Sequence, residues 1–360
     1  MPSNPASIGP TDAYRLEFDA VFDIRPHASS TPTLKGAQLV VVERLTANPA
    51  KFIGSKTDSD LIVCDIGLRS AMATDLLLAH GYDLAVSLDG GIEAWASAGL
   101  PTEAPQGLSS AEFLRYDRQL KLPSIGVTGQ RALGASKVAV VGAGGLGTPV
   151  ISYLCGAGVG HLAIIDSDRV EVSNLHRQPI YTMRDVGQSK SEASAAYAAA
   201  LNPTIEVTAV TARIDETNAL ELLAGHDVVV TCTDSFDTAH AINRAAVETG
   251  IPMVFGSVYR TEGQFSVFDA LRGPCYACVF PSNRGGFAMD CSIVGVLGTV
   301  TGIVGSIQAT ETIKLITGIE SSIVGSLGLY DANSQTIDSL TVKKNPACAT
   351  CGDGAGAVAR

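Results

Sequence analysis

Residues 137–168, KVAVVGAGGLGTPVISYLCGAGVGHLAIIDSD, constrain the fold more than any other stretch of the chain. Lys137–Val141 is a short valine-rich run of the kind buried on both faces of a parallel sheet, and it predicts a strand. Gly142, Gly144, Gly145 and Gly147 follow at once, then an apolar stretch to Val159, a second strand over Leu162–Ile165, and the acids Asp166 and Asp168. Strand, turn, helix and strand in that order make a βαβ unit. A turn this rich in glycine takes backbone angles closed to other residues and lets main-chain N–H groups reach a phosphate at the positive end of a helix. Asp166, about 20 residues beyond the turn, stands where an acid grips a ribose hydroxyl. A nucleotide is the predicted ligand, and a glycine turn that only packs tightly is the plain alternative. The turn alone fits a dinucleotide and hydride transfer as well as a mononucleotide, so the choice rests on the rest of the chain.

At 360 residues the chain exceeds the usual single-domain size, and two domains are expected. A formal charge of −11 and a pI near 5.0 argue against nucleic acid as a main partner, because binding would lack the counterion-release contribution. The first residues show no basic-then-apolar signal segment, and no run of about 18 apolar residues occurs, so a cytoplasmic protein without membrane contact is expected. Eight cysteines in a reducing compartment then point to metal or sulfur chemistry rather than to disulfides.

In the first part of the chain Asp19–Ile24 and Asp60–Val63 read as buried strands, and the second delivers Cys64 into the loop Cys64-Asp-Ile-Gly-Leu-Arg69-Ser70. A helix is predicted over Ala71–His80, stopped by Gly81, with a short strand at Ala85–Leu88 and a short helix carrying Trp95 beyond it. A thiol at the rim of such a loop faces N–H groups, a helix N-terminus and Arg69, all of which favour thiolate. Asp65 beside it works in the opposite sense and disfavours an anionic sulfur donor. The two motifs Cys64–Ser70 and Leu88–Trp95, in this order around a helix, resemble the rhodanese-like sulfurtransferase family. The resemblance implies a Cys64 persulfide cradled by the loop with Arg69, fed by a protein-bound persulfide donor such as a cysteine desulfurase; an inactive docking module is the alternative. Pro101–Ser110, PTEAPQGLSS, is rich in proline and small polar residues. The expected organisation is a domain over 1–104, a linker over 105–110 and a second domain over 111–360.

Glu112–Gln130 reads as an amphipathic helix start followed by a turn, feeding the glycine-rich strand. With GAGGLG and the run Asp166–Gln178, DSDRVEVSNLHRQ, residues 110–352 resemble the E1-like ThiF/MoeB/HesA adenylyltransferase family. Bottom-up chemistry agrees with it. A carboxylate is a poor electrophile, and ATP improves it by forming an acyl-adenylate with pyrophosphate leaving. Such a site needs cations, for which Arg177 and Lys190 are candidates, and an acid for Mg²⁺, for which Asp234 stands just past the apolar strand 227–231. The resemblance implies that Gly145, Asp166, Ser173, Asn174, Leu175, His176, Arg177, Lys190, Asp234 and Ser235 line the ATP site, with Arg118 reaching a neighbouring subunit. It also implies a ubiquitin-like sulfur carrier of the MoaD or ThiS type, ending in Gly-Gly, as substrate.

Cys275-Tyr-Ala-Cys278 and Cys348-Ala-Thr-Cys351 are two C-x-x-C pairs with the spacing that clasps one tetrahedral Zn²⁺. Asn283–Cys291 reads as a polar, glycine-rich loop near the site, and Cys291 opens an apolar helical pattern in which Gly295, Gly298, Gly302 and Gly305 make one flat face. By the resemblance Cys291 is a candidate second nucleophile. Cys155 and Cys232 sit inside apolar elements as core residues. The fold class expected is α/β: a Rossmann-like adenylation domain with a zinc clasp, plus a smaller α/β rhodanese-like domain in an order reversed from the family's commoner one. The expected function is adenylation of a carrier's C-terminal glycine followed by sulfur transfer to a thiocarboxylate, by a homodimer. Adenylation with an inactive docking domain is the alternative; a nicotinamide-dependent oxidoreductase, lacking a recognisable hydride-site acid or base, is the second. Whether the sulfur serves molybdopterin, thiamin, a tRNA base or cysteine is left open.

Overall fold

The computed structural model describes residues 7–25, 32–40, 42–103, 108–281 and 295–352. By its internal contacts the chain divides into two compact units, Met1–Arg131 and Ala132–Arg360.

The first unit is built on a parallel sheet of the strands β1 (Ser7–Ile8), β2 (Ala20–Asp23), β4 (Gln38–Leu39), β5 (Asp60–Val63) and β6 (Val86–Leu88), in the spatial order β1-β6-β5-β2-β4. The short β3 (Thr33–Leu34) pairs with β7 (Thr102–Glu103). Alternation along β5 divides its side chains between two cores. Ile62 and Cys64 join Phe22, Ile24 and Leu77 on one face, and Leu61 and Val63 join Val86, Leu88 and Trp95 on the other. Asp23 and Arg25 form a buried ion pair, with the Arg25 Nε 2.8 Å from Asp23 Oδ1, and Thr33 Oγ1 donates to Asp23 Oδ2 at 2.6 Å. The helix after Cys64 runs over Leu68–Ala79 and so begins three residues before the predicted Ala71, because Gly67 at φ 86° turns the chain into it.

Asp60, at the opposite end of β5 from Cys64, is 1% exposed and neither of its oxygens has a hydrogen-bond partner among the described residues. Burial first, then the charges of Asp58 and Asp19, push its carboxyl up to about 6. A folded-state value above the unfolded one means that the native state holds the proton longer, so this contribution is present at low pH and lost as pH rises toward and through about 6. Between pH about 4.5 and about 7.5 wild type should lose about 2 kcal/mol more stability than Asp60→Asn. Urea unfolding followed by Trp95, the chain's single tryptophan, measures this difference, and parallel pH profiles would contradict it.

The second unit holds a sheet in the order β10-β9-β8-β11-β12-β13-β14-β15. Its strands are β8 (Lys137–Val141), β9 (His161–Ile165), β10 (Glu206–Val210), β11 (Val228–Thr231), β12 (Met253–Tyr259), β13 (Glu262–Phe268), β14 (Ser326–Asp331) and β15 (Thr336–Thr341). Pairing is parallel from β10 to β12 and antiparallel from β12 to β15. Val138, Val140, Val228 and Val230 point into one core, and Ala139, Val141 and Val229 into the other, as expected of strands covered by helices on both faces. Because β9 lies on one side of β8 and β11 on the other, the chain order reverses at β8. That reversal opens a crevice at the carboxyl ends of the strands.

The amphipathic start after the linker resolves into two helices, Ser110–Leu120 and Gly126–Ala135, the first capped by Ser109 and Glu112 in a reciprocal box. The helix expected to open at Cys291 is described from Gly298 to Thr317. Gly295 has φ 77°, Val296 bridges Arg260, and the Leu297 N–H donates to Arg260 O at 2.9 Å, so the approach to the helix is extended chain. Gly295 is therefore not on the helix face, and a Cβ at Gly302 would meet nothing within 4 Å. Gly298 and Gly305 are the two positions of close approach, with a Cβ at Gly305 lying 2.4 Å from Pro149 Cγ and 2.6 Å from Leu146 O. Among the described residues no helix is long and apolar enough to cross a membrane.

Candidate active site

Gly142 ends β8 at the crevice with φ 96°, and a Cβ there would lie 2.6 Å from Cys232 O at the end of β11, so only glycine fits. The helix over Gly147–Ala157 starts from this turn, and no side chain caps its first N–H groups. The Thr148 N–H turns back onto Gly144 O at 3.0 Å, and N–H groups at a helix N-terminus that remain without a partner form an anion cradle. Gly144 faces the buried side chain of Gln178 and Gly145 faces Thr301, at 3.7 Å and 3.0 Å from where a Cβ would stand.

One hydrogen-bonded chain joins the cradle to the predicted acids and cation. The Ala143 N–H donates to Asp166 Oδ2 at 2.6 Å, and the Asp168 N–H donates to Asp166 Oδ1 at 2.7 Å. Lys190 Nζ lies 2.8 Å from Asp168 Oδ2, the lysine side chain 9% exposed and the aspartate 66%. Burial raises the Asp166 carboxyl above the usual carboxylate range, while the two N–H groups and the Lys190 charge pull against it. Each Asp166 oxygen keeps a second lone pair able to accept from a further donor.

The segment 171–178 folds as a short turn in which Asn174 is buried and its Oδ1 accepts from the Glu171 N–H at 3.1 Å. Ser173 Oγ donates to Glu171 Oε2 at 3.1 Å, Leu175 closes the turn, and Arg177 Nη1 donates to Ser173 O at 3.0 Å and lies 3.0 Å from His176 Nε2. A Cβ at Gly298 would lie 2.6 Å from His176 O, so the long helix seats directly on this motif. Asp234 is exposed just beyond β11, and Ser235 caps the helix Phe236–Thr249 by accepting from the Thr238 N–H at 3.3 Å. Ser235 thus has a local structural role whatever it does for a ligand. Arg118, in the other unit, is 94% exposed. Cys155 and Cys232 are buried, as core residues should be. Cys291, with the loop 283–291, lies outside the described residues.

In the first unit Cys64 is 1% exposed, more enclosed than a loop rim implies. The Ser70 N–H donates to its Sγ at 3.3 Å, while the Ser70 hydroxyl donates to Gly67 O at 3.0 Å and accepts from Ser87 at 2.8 Å. Arg69 meets Asp65 at 2.8 Å, so the cation and the acid flanking the thiol neutralise one another. The second motif closes the cradle: Gly91 has φ 60°, a Cβ there would lie 2.4 Å from Cys64 O, and the Ile92 N–H donates to that carbonyl at 2.9 Å.

Cys275, Cys278, Cys348 and Cys351 place their sulfurs within 4.8 Å of one another. The Cys275–Cys278, Cys275–Cys348 and Cys278–Cys351 separations are 3.9, 3.7 and 3.5 Å. Four thiolates at about 2.3 Å from a tetrahedral ion are about 3.8 Å apart, so the donor set fits a closed divalent metal site. Burial opposes ionisation of Cys348, yet the N–H groups of Cys351 and Thr350 and the neighbouring thiols bring it down to about 7. Asn243 Nδ2 donates to Cys275 Sγ at 3.7 Å and the Asn345 N–H donates to Cys278 Sγ at 3.5 Å, holding two of the sulfurs from outside the cluster.

Sequence reasoning missed Gln178, Tyr181 and Thr301. Gln178 ends the run Asp166–Gln178 and could have been read with it; the other two are single residues in unremarkable surroundings and reach the cradle only through the fold.

The ThiF family model matches residues 116–350, and the rhodanese-like domain model matches residues 11–98. The chain belongs to the ThiF family. It is 45% identical over 248 residues to the sulfur carrier protein adenylyltransferase of Thermus thermophilus, covering 67% of this chain and 92% of that one. To the SAMP-activating enzyme E1 of Haloferax volcanii it is 43% identical, covering 69% and 92% of the two chains. With the adenylyltransferase and sulfurtransferase UBA4 of Yarrowia lipolytica the identity is 45%, over 67% of this chain and 62% of that one. The crystal structure of E. coli MccB shares the fold of this ThiF chain, with a TM-score of 0.61 at 23% identity over 69% of this chain and 75% of that one. ThiF and rhodanese-like parts in one chain bear out the family reading of the sequence.

Proposed function

We infer that this ThiF-family chain adenylates the C-terminal glycine of a ubiquitin-like sulfur carrier and then converts it to a thiocarboxylate. The observation that carries the reading is the continuous bonding from the glycine cradle through Asp166 and Asp168 to a nearly buried Lys190. A lysine beside a phosphate cradle serves polyphosphate, whereas hydride transfer gives it no task. Arg177 and Lys190 would neutralise the phosphates, Asp166 would hold the ribose, and the cradle N–H groups would bind phosphate oxygens. Asp234 would hold Mg²⁺, which when bound neutralises charge on the phosphates. The carrier carboxylate attacks the α-phosphorus of ATP, pyrophosphate leaves, and an acyl-adenylate results.

A persulfide on Cys64, loaded by a persulfide donor, then attacks the acyl carbon and AMP leaves, giving an acyl-persulfide. Attack of the Cys291 thiolate on Cys64 Sγ would form a disulfide and release the thiocarboxylate. Residues 1–104 form the sulfur-transfer module and 111–360 the adenylation domain, joined by 105–110. Fusion gives the persulfide a high effective concentration at the adenylate. The four-cysteine cluster holds Zn²⁺, for which soft thiolate ligands in a tetrahedron are suited. A cytoplasmic homodimer in which Arg118 serves the neighbouring subunit completes the reading.

Exchange of labelled pyrophosphate into ATP tests the adenylation step. Exchange is expected only when a carrier ending in Gly-Gly is added. No exchange with any such carrier, or a dinucleotide retained through purification, overturns the reading.

A further inference from the structure

Two successive peptide planes form the floor of the cradle, and each is gripped from a different side. The peptide between Gly142 and Ala143 is held by its N–H, which donates to Asp166 at 2.6 Å. The peptide between Ala143 and Gly144 is held by its carbonyl, which accepts from the Tyr181 hydroxyl at 2.8 Å. In a trans peptide the C=O and the following N–H point in opposite directions, so drawing Ala143 O toward Tyr181 turns the Gly144 N–H away from it. Tyr181 is itself well fixed. Its residue is 5% exposed, packed with Val170 and Ala193, and its oxygen lies 2.7 Å from Ser194 Oγ and 3.3 Å from Lys190 O. A phenol carries one proton, and with that proton on Ala143 the Ser194 hydroxyl is the donor to Tyr181. Burial raises the Tyr181 hydroxyl above its ordinary range, so the proton is in place at neutral pH.

We propose that Tyr181 is a positioning residue whose hydroxyl sets the Ala143–Gly144 peptide plane and ties it to the first turns of the helix Lys190–Leu201, so that the cradle N–H groups and Lys190 meet the polyphosphate in register. The ring fills the core, but only the hydroxyl performs this task, and phenylalanine would fill the same space. The inference rests on the ATP reading above.

Tyr181→Phe tests it by calorimetric titration with ATP and by carrier-dependent exchange kinetics. The variant should bind ATP about tenfold more weakly, with KM for ATP raised in parallel and kcat at saturating ATP within about twofold of wild type. Ser194→Ala cuts the tie to the helix but leaves the bond to Ala143, so it should weaken ATP binding in the same direction as Tyr181→Phe but by less, and wild-type affinity in this variant would overturn the tie to the helix. A Tyr181→Phe protein that melts earlier but binds ATP as wild type does overturns the proposal. Wild type that binds no ATP overturns the nucleotide reading and the proposal with it, so the two failures are told apart by the unmodified protein alone.

Discussion

Replacing Cys64 by alanine should lower thiocarboxylate formation from a desulfurase-borne persulfide by about a hundredfold or more, while carrier-dependent pyrophosphate exchange stays at its wild-type rate. The asymmetry follows from where the residue sits. Cys64 ends β5 in the first unit, held by the Ser70 N–H and walled by Gly91, and nothing in the adenylation chemistry calls on it. Alanine keeps the strand and removes only one buried sulfur, so folding should survive. The Ser70 N–H donates to Cys64 Sγ at 3.3 Å and the Ser70 hydroxyl oxygen lies 3.3 Å from the same sulfur, so both can serve a sulfur anion. Product measured by mass spectrometry of the carrier separates the two possibilities. An unchanged yield would show that the first unit is a docking module and that sulfur reaches the adenylate by another route.

The second large effect is expected at the four-cysteine cluster. Purified protein should carry one equivalent of zinc, and the pair Cys348→Ser and Cys351→Ser together should cost the second unit about 4 kcal/mol. A cross-link that closes a loop of about 70 residues removes roughly that much free energy from the unfolded ensemble. Chelation should have the same sense, and limited proteolysis should then cut near Val342–Gly352, the segment that the Cys348 and Cys351 sulfurs tie to Cys275 and Cys278. Trp95 lies in the first unit and should not report this transition. Metal-free protein of unaltered stability would remove the clasp from the account.

Much of this was legible because local chemistry and long-range placement coincide. Val138–Val141 is apolar on both faces, and its strand lies inside the sheet between β9 and β11. Gly142 and Gly91 are glycines because backbone oxygens of Cys232 and Cys64 occupy the space a side chain would need. The thiol spacings in 275–278 and 348–351 are fixed by a tetrahedron, which is a stronger constraint than any helix period. What could not be read has a common cause: it depends on which residues the fold brings near. Asp60 looks like an ordinary polar strand start until burial and two neighbouring acids act on it. Arg69 looks like a partner for the thiol, but Asp65 is four residues away on the same side of the loop and captures it. The glycine spacing from Gly295 to Gly305 suggested a single face, yet an extended approach bonded to Arg260 starts the described helix only at Gly298.

Gly298 abuts His176 O, and one helical stretch later Gly305 abuts Leu146 O and Pro149. The long helix is therefore a rail touching the turn 171–178 at one point and the start of the helix Gly147–Ala157 at another. At both touching points a Cβ on the helix would meet a backbone oxygen, so the helix approaches closely there. On the ATP reading proposed above, a shift of that rail by a fraction of an ångström would reach Arg177 and the helix that starts the cradle together.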